Sequence, residues 1–358
     1  MPTANEELLD RSIRHSIGLN RYSSGVVKQI IQLLNQVDDD LVAQILKFDP
    51  TAVSGSYSRA RLEKLLEAIR AVNKEAYAAV KKELTGELRG LAAHEADFQS
   101  RMITASVPIQ LDIVKPSASQ LYAAVEARPF QGRFLKDWFA GLEQGAQQRI
   151  ESAIQIGFVE GESIDKIVRR VRGTRANQFR DGALEINRRS AQGVVRTAIS
   201  HTANVARQET YKANEDVIKG ERYTATLDSR TSLQCSSLDG QVFPVGVGPR
   251  PPQHPGGCRS TTVPILKSWK EMGFNFKELP ESTRSSMNGQ VPESTTYNEW
   301  LRKQPKDVQE EALGKTKAKL YRDGGLSVDR FVDRTGAELT LDELRKGEAD
   351  AFKKAGID

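Results

Sequence analysis

Both cysteines of this 358-residue chain, Cys235 and Cys258, fall within 24 residues of sequence, together with His254, one of its four histidines. Two thiolates and an imidazole are ligands that zinc accepts in a tetrahedral site, with Asp228 or a water as the fourth. The spacing is not that of two close cysteine pairs. The same residues therefore also suit a disulfide, or two thiols packed as small hydrophobes. A Cys–His nucleophile needs a thiolate beside an oriented base. His254 and Cys258 lie in a stretch of prolines and glycines where no positioning helix start is evident, so catalysis is not expected there.

A second concentration of chemistry is electrostatic. Between Lys166 and Arg196 the chain carries nine basic residues: Lys166, Arg169, Arg170, Arg172, Arg175, Arg180, Arg188, Arg189 and Arg196. Only Asp181 and Glu185 oppose them. The segment's net charge is +7 against +5 for the whole chain, so the remainder sums to −2. A basic strip on a nearly neutral body points to an anionic partner, DNA first, or else to a solvated helical face. Arg169, Arg170, Arg172, Arg175, Arg180, Arg188 and Arg189 are the DNA-contact candidates.

Other apparent motifs fail. Gly314-Lys315-Thr316 lacks the leading glycine of a phosphate loop, because Gln309 stands there. Gly246-Val247-Gly248 runs into prolines rather than a helix. No catalytic set is found, and no enzyme activity is expected. No cofactor is expected beyond a zinc ion on the three residues above.

The elements that must position these residues are mostly helical. Three short helices are expected before Pro50, capped by Asn5, Ser24 and Asp40. Leu62, Leu65, Leu66, Ile69, Val72, Ala76, Val80, Leu84, Leu88 and Leu91 recur at three- and four-residue steps, which predicts one long helix over 58–103, with Gly86 and Gly90 as its weak points. A short strand is expected at 109–114. Helices follow at 117–127, 131–157, 163–172 and 183–219, the last ended by Gly220. Strands are expected at 222–227, around Val242-Phe243 and at 261–266. Between them, the five prolines and four glycines of 244–257 must form an ordered loop or a covered excursion. On the long helix, Arg196, Asn204 and Arg207 are expected to hydrogen-bond to the loop beyond it.

Residues 280–293 read as a polar linker. Helices at 295–303 and 305–322, short strands near 330–332 and 338–339, and a last helix capped by Thr340 and Glu343 complete the chain. The fold class expected is mainly α with a small β-sheet (α+β), with long helical arms around a compact helical and β-hairpin module. The expected domains are an N-terminal helical arm at 1–110, the module at 116–266, a linker at 267–293 and a C-terminal helical extension at 294–358.

With two cysteines, a disulfide-rich secreted scaffold is excluded. The polar, acidic N-terminus has no signal-peptide pattern, and no apolar run approaches the ~18 residues of a membrane span. The expectation is a soluble protein made in a reducing cytosol.

The order Val195-Arg196-Thr197, Asn204-Val205-Ala206-Arg207, Asp228-Ser229-Arg230-Thr231-Ser232, Cys235, Leu238-Asp239-Gly240, and His254-Pro255 through Cys258-Arg259 resembles the phage Mu F-like minor head proteins, also called SPP1-type head morphogenesis proteins. The likeness runs over about 116–266. It implies a structural, non-enzymatic protein of a tailed-phage virion, acting in head assembly and in DNA packaging or ejection. Its implied partners are the portal protein, packaged double-stranded DNA and other capsid or ejected proteins, with an oligomer on the portal ring. The implied location is the virion head near the portal vertex, and the host cytoplasm during assembly. Two departures are visible. Ser232 and Ser260 stand where many members have cysteines, and Ala198 stands where the family often has a carboxylate. The alternatives are an enzyme or toxin-like effector delivered with the virion, or a cytosolic DNA-binding regulator. Against the first, 280–358 contains no histidine or cysteine.

Overall fold

A computed structural model describes residues 4–47, 59–107, 111–254, 257–273, 275 and 283–357. Helices hold 63% of the described residues and strands 9%, so the fold is mainly α with small antiparallel sheets.

The chain opens with α1 (Ala4–Leu46), a single helix where three were expected. Ser24 and Asp40 lie inside it rather than capping new helices. No proline interrupts this span, and the stripe of Val26, Val27, Ile30, Leu34, Leu41, Val42 and Ile45 stays buried throughout, so packing overrides the local capping preference. The expected break at Pro50 lies outside the described residues. Helix α2 (Arg59–Ala105) is the long helix expected, unbroken at Gly86 and Gly90. A Cβ at either glycine would meet nothing within 4 Å.

The strand expected at 109–114 does not form at 111–114, and 108–110 lie outside the described residues. The Asn214 side chain takes the place of a strand partner. Val114 N–H donates to Asn214 Oδ1 (2.8 Å), and Asn214 Nδ2 donates to the Val114 carbonyl (2.9 Å). Then come α3 (Ala118–Ala127), α4 (Leu135–Val159), α5 (Ile164–Arg172) and α6 (Ala183–Lys212). Helix α6 stops before Gly220, and that glycine sits inside β1 (Ile218–Thr224). A Cβ there would lie 2.7 Å from the Phe243 carbonyl oxygen, so glycine is what lets the neighbouring strand close in.

The sheet is completed by β2 (Val242–Phe243) and β3 (Thr261–Leu266), in the order β2-β1-β3, all antiparallel. A short helix that was not expected, α7 (Leu233–Leu238), lies between β1 and β2. The stretch read as a linker carries a hairpin of β4 (Thr283–Ser286) and β5 (Gly289–Pro292). The C-terminal segment holds α8 (Tyr297–Arg302), α9 (Lys306–Leu313), α10 (Lys315–Arg322), α11 (Leu341–Gly347) and α12 (Ala349–Ala355). Gly314, at φ 74°, divides the helix expected at 305–322. Thr340 and Glu343 form the expected capping box.

The chain forms two compact units, and α1, α2, α3 and α6 contribute residues to both. One comprises 21–91 and 125–199. Its core joins Leu41 and Ile45 of α1, Leu66 and Ile69 of α2, Ile150 and Ile154 of α4, and Ile167 and Val171 of α5. The other comprises 1–20, 92–124 and 200–358, and contains all the strands. Two of its cores gather Leu8, Ile103, Tyr211 and Val263, and Trp300, Leu320, Tyr321, Phe331 and Phe352.

Candidate functional site

The strand-bearing unit brings Cys235, His254 and Cys258 together. Cys235 lies in the first turn of α7, where its amide donates to the capping Ser232 hydroxyl at 3.3 Å. His254 and Cys258 come from the end of the proline-rich excursion, just before β3. One ligand atom from each of the three residues lies within 4.8 Å of the others. The sulfurs are 3.6 Å apart, and both cysteines are free thiols. Tyr223, buried on β1, donates its hydroxyl to the Cys235 sulfur at 3.4 Å.

Cys235 is drawn well below the ordinary thiol range. The Cys258 hydrogen bond is the largest cause, burial opposes it, and hydrogen bonds with His254, Ser232 and Ser260 add to it. Cys258 is pushed up by the same hydrogen bond and by burial. Asp228, the sequence's candidate for a fourth ligand, is committed elsewhere. Both its oxygens take the Arg259 guanidinium, one at 2.8 Å, and Oδ1 also accepts the Arg230 amide at 3.0 Å. Cys235 is 1% exposed, which denies a substrate the approach a nucleophile needs.

Sequence reasoning missed two buried ion pairs that build this unit. Asp239, just after α7, pairs with Arg284 of β4 through two contacts of 3.0 Å. The same carboxylate accepts the amides of Ala225 and Tyr297, each at 2.7 Å. Arg207 of α6 bonds to helix and strand neighbours rather than to the loop expected. Its Nη2 meets Glu95 Oε1 of α2 at 2.7 Å, Nη1 meets Asn204 Oδ1 at 3.2 Å, and Nη1 also bonds the Thr261 hydroxyl on β3. His15 of α1 completes the group, with Nε2 2.6 Å from Glu95 Oε2 and its ring stacked on Phe98 at 3.7 Å. The Asn204 side chain bonds back to the Ser200 carbonyl. Arg196 reaches Ser24 instead of the loop.

In the helical unit the basic segment divides in two. Arg170 holds Glu160 and Glu162, and Arg172 lies 3.7 Å from Asp39. Arg188 pairs with Asp38 and also donates to Asn35 at 2.7 Å. Arg189 reaches Glu185 at 3.6 Å and the Arg180 carbonyl at 2.8 Å. The side chains of Arg169, Arg175 and Arg180 are exposed and have no ion-pair partner among the described residues.

Arg175 and Arg180 ride on a built loop between α5 and α6. Asp181 accepts the Thr174 amide (2.8 Å), the Thr174 hydroxyl (2.8 Å) and Asn177 Nδ2 (2.9 Å). These bonds, Asn177's the strongest, hold the Asp181 carboxyl down to about 2. Gly182 packs so closely that a Cβ would lie 2.4 Å from the Arg172 carbonyl carbon.

Residues 148–263 match the family model described as Phage Mu protein F like protein, inside the wider 116–266 likeness read from the sequence. That segment, about a third of the chain, is thus similar to the phage Mu F-like head-morphogenesis family. Comparison with curated proteins and with solved structures gave no match. Among the described residues no helix is long and apolar enough to cross a membrane.

Proposed function

We propose that this protein is a non-catalytic minor component of a tailed-phage head, associated with the portal and acting in head assembly and in DNA packaging or ejection. It resides in the virion near the portal vertex after assembly in the host cytoplasm, in several copies around the portal ring. The observation that carries this reading is the phage Mu F-like domain at 148–263.

DNA contact is assigned to Arg169, Arg175 and Arg180, whose guanidiniums are not committed to carboxylates of the described chain. Such contact reads phosphates, so it is independent of sequence and falls steeply with salt. The protein partner is assigned to the same unit, where Ile156 (45%), Val159 (84%), Phe179 (41%) and Ile186 (41%) are unusually exposed. Ile156 and Ile186 line one recess together with Arg149, Arg170 and Asp181, a mixed surface suited to another head protein.

Cross-linking mass spectrometry of purified virions tests the reading. Cross-links from 148–199 to the portal, with the chain present at a fixed copy number, are the expected result. Absence of the chain from assembled particles overturns it.

A further inference from the structure

We infer that Cys235, His254 and Cys258 form a structural zinc site that pins the proline-rich excursion 244–258 to α7 and the sheet. This inference is independent of the phage-head reading. It stands on the convergence of three ligand atoms within 4.8 Å of one another, drawn from α7 and from the loop that leads into β3. Two thiolates each about 2.3 Å from one tetrahedral ion are about 3.8 Å apart. The observed sulfur separation is 3.6 Å, close to that value and far from the roughly 2.05 Å of a disulfide.

The donor set selects the metal. Two sulfurs and one imidazole nitrogen suit zinc, whereas calcium and magnesium require oxygen ligands. The surroundings supply what such a site needs. Hydroxyls of Ser232, Ser260 and Tyr223 hydrogen-bond to Cys235, and so are placed to orient a thiolate. The fourth position falls to a water or to one of the two serine hydroxyls, since Asp228 is bound to Arg259. The stretch 244–254 of the excursion holds no helix or strand and follows directly on the two residues of β2. A metal joining both the excursion's end and α7 would add to the packing of Val245 and the buried Pro251 and Pro252, which hold the earlier part of the loop.

The test uses the full chain, purified under reducing conditions, loaded with Zn2+ and gel-filtered. The expected result is about one equivalent of zinc retained against a mild chelator. Loading with Co2+ instead is expected to give intense thiolate-to-cobalt absorption together with tetrahedral d–d bands. Cys258→Ser and His254→Ala are each expected to weaken zinc affinity at least about tenfold. Because those variants can fail to fold, Ser260→Cys is the second arm. It adds a soft ligand beside Cys235 and is expected to tighten zinc binding. Substoichiometric zinc, a cobalt spectrum without thiolate bands, or a Cys235–Cys258 disulfide in metal-free protein kept under reductant overturns the inference, as does unchanged affinity in Ser260→Cys.

Discussion

Arg207 Nη2 and Glu95 Oε1 stand 2.7 Å apart, and the two side chains are 1% and 0% exposed. A pair this deeply buried gains little over two apolar residues, but losing one partner strands the other's charge. Glu95→Gln is therefore expected to destabilise the protein by about 3–5 kcal/mol. The double variant Glu95→Leu with Arg207→Met is expected to recover much of that loss. Urea denaturation of the three proteins checks this, and a double variant as unstable as Glu95→Gln contradicts it.

The same pair sets an acid limit. Burial alone would raise the Glu95 pKa, but the charge of Arg207 and the bonds from His15 and Gln99 outweigh it and hold the carboxyl to about 2 against 4.5 unperturbed. A carboxyl with a depressed folded pKa adds stability that is complete above its unfolded pKa and is lost as pH falls through the folded one. Stability is therefore expected to drop between about pH 4.5 and 2. Urea midpoints measured across that range should fall more steeply for the wild type than for Glu95→Gln.

Arg169, Arg175 and Arg180 each changed to Gln should weaken binding to DNA of any sequence. If each arginine meets one phosphate, the slope of log affinity against log salt should shrink by about 0.9 per residue, or about 3 for the triple variant. Arg188→Gln should instead lower the melting temperature, because its guanidinium serves Asp38 and Asn35. Salt titrations by fluorescence anisotropy separate the two effects. A slope unmoved by the triple substitution removes the DNA assignment.

Gly182→Ala is expected to destabilise by about 1–3 kcal/mol, since the added methyl overlaps the backbone at Arg172 and Gly173. Loss of DNA affinity should accompany it, because the same loop carries Arg175 and Arg180. Gly193→Ala, whose Cβ meets nothing within 4 Å, is the control that should stabilise its helix slightly.

Phe179→Asp places a charge on the exposed apolar surface of the helical unit. It should leave the melting temperature within about 1 °C and abolish co-sedimentation with the portal, a pattern that unfolding would not give. Retained co-sedimentation would move the docking surface elsewhere.

Much of this architecture can be read along the chain, and the exceptions have causes. The long helix α2 is legible because its apolar stripe is unbroken and no proline intervenes. Helix α1 is not, because Ser24 and Asp40 are good caps only where the chain turns, and here the buried apolar stripe keeps the chain helical through both. The β4–β5 hairpin has a local signal in Asn288-Gly289: Met287 and Asn288 form the two-residue turn, and Gly289, at φ 113°, opens β5. The grouping of Cys235, His254 and Cys258 is visible as co-occurrence in the sequence. The loss of Asp228 to Arg259 is not, since the two lie 31 residues apart. Nor is the pairing of the arginines legible. Arg188 meets its carboxylate 150 residues upstream, a distance over which charge patterning carries no information.

Asp239 has a practical consequence for anyone cutting this protein. Its carboxylate is fully enclosed, and it fastens the end of β1, the hairpin at Arg284 and the start of α8 into one knot. A fragment ending at Leu266, just beyond the family-matched segment, would keep the anion and discard its counter-ion. Such a fragment should aggregate on expression, whereas one extended through the C-terminal helices, or carrying Asp239→Asn to neutralise the anion, should be more tractable.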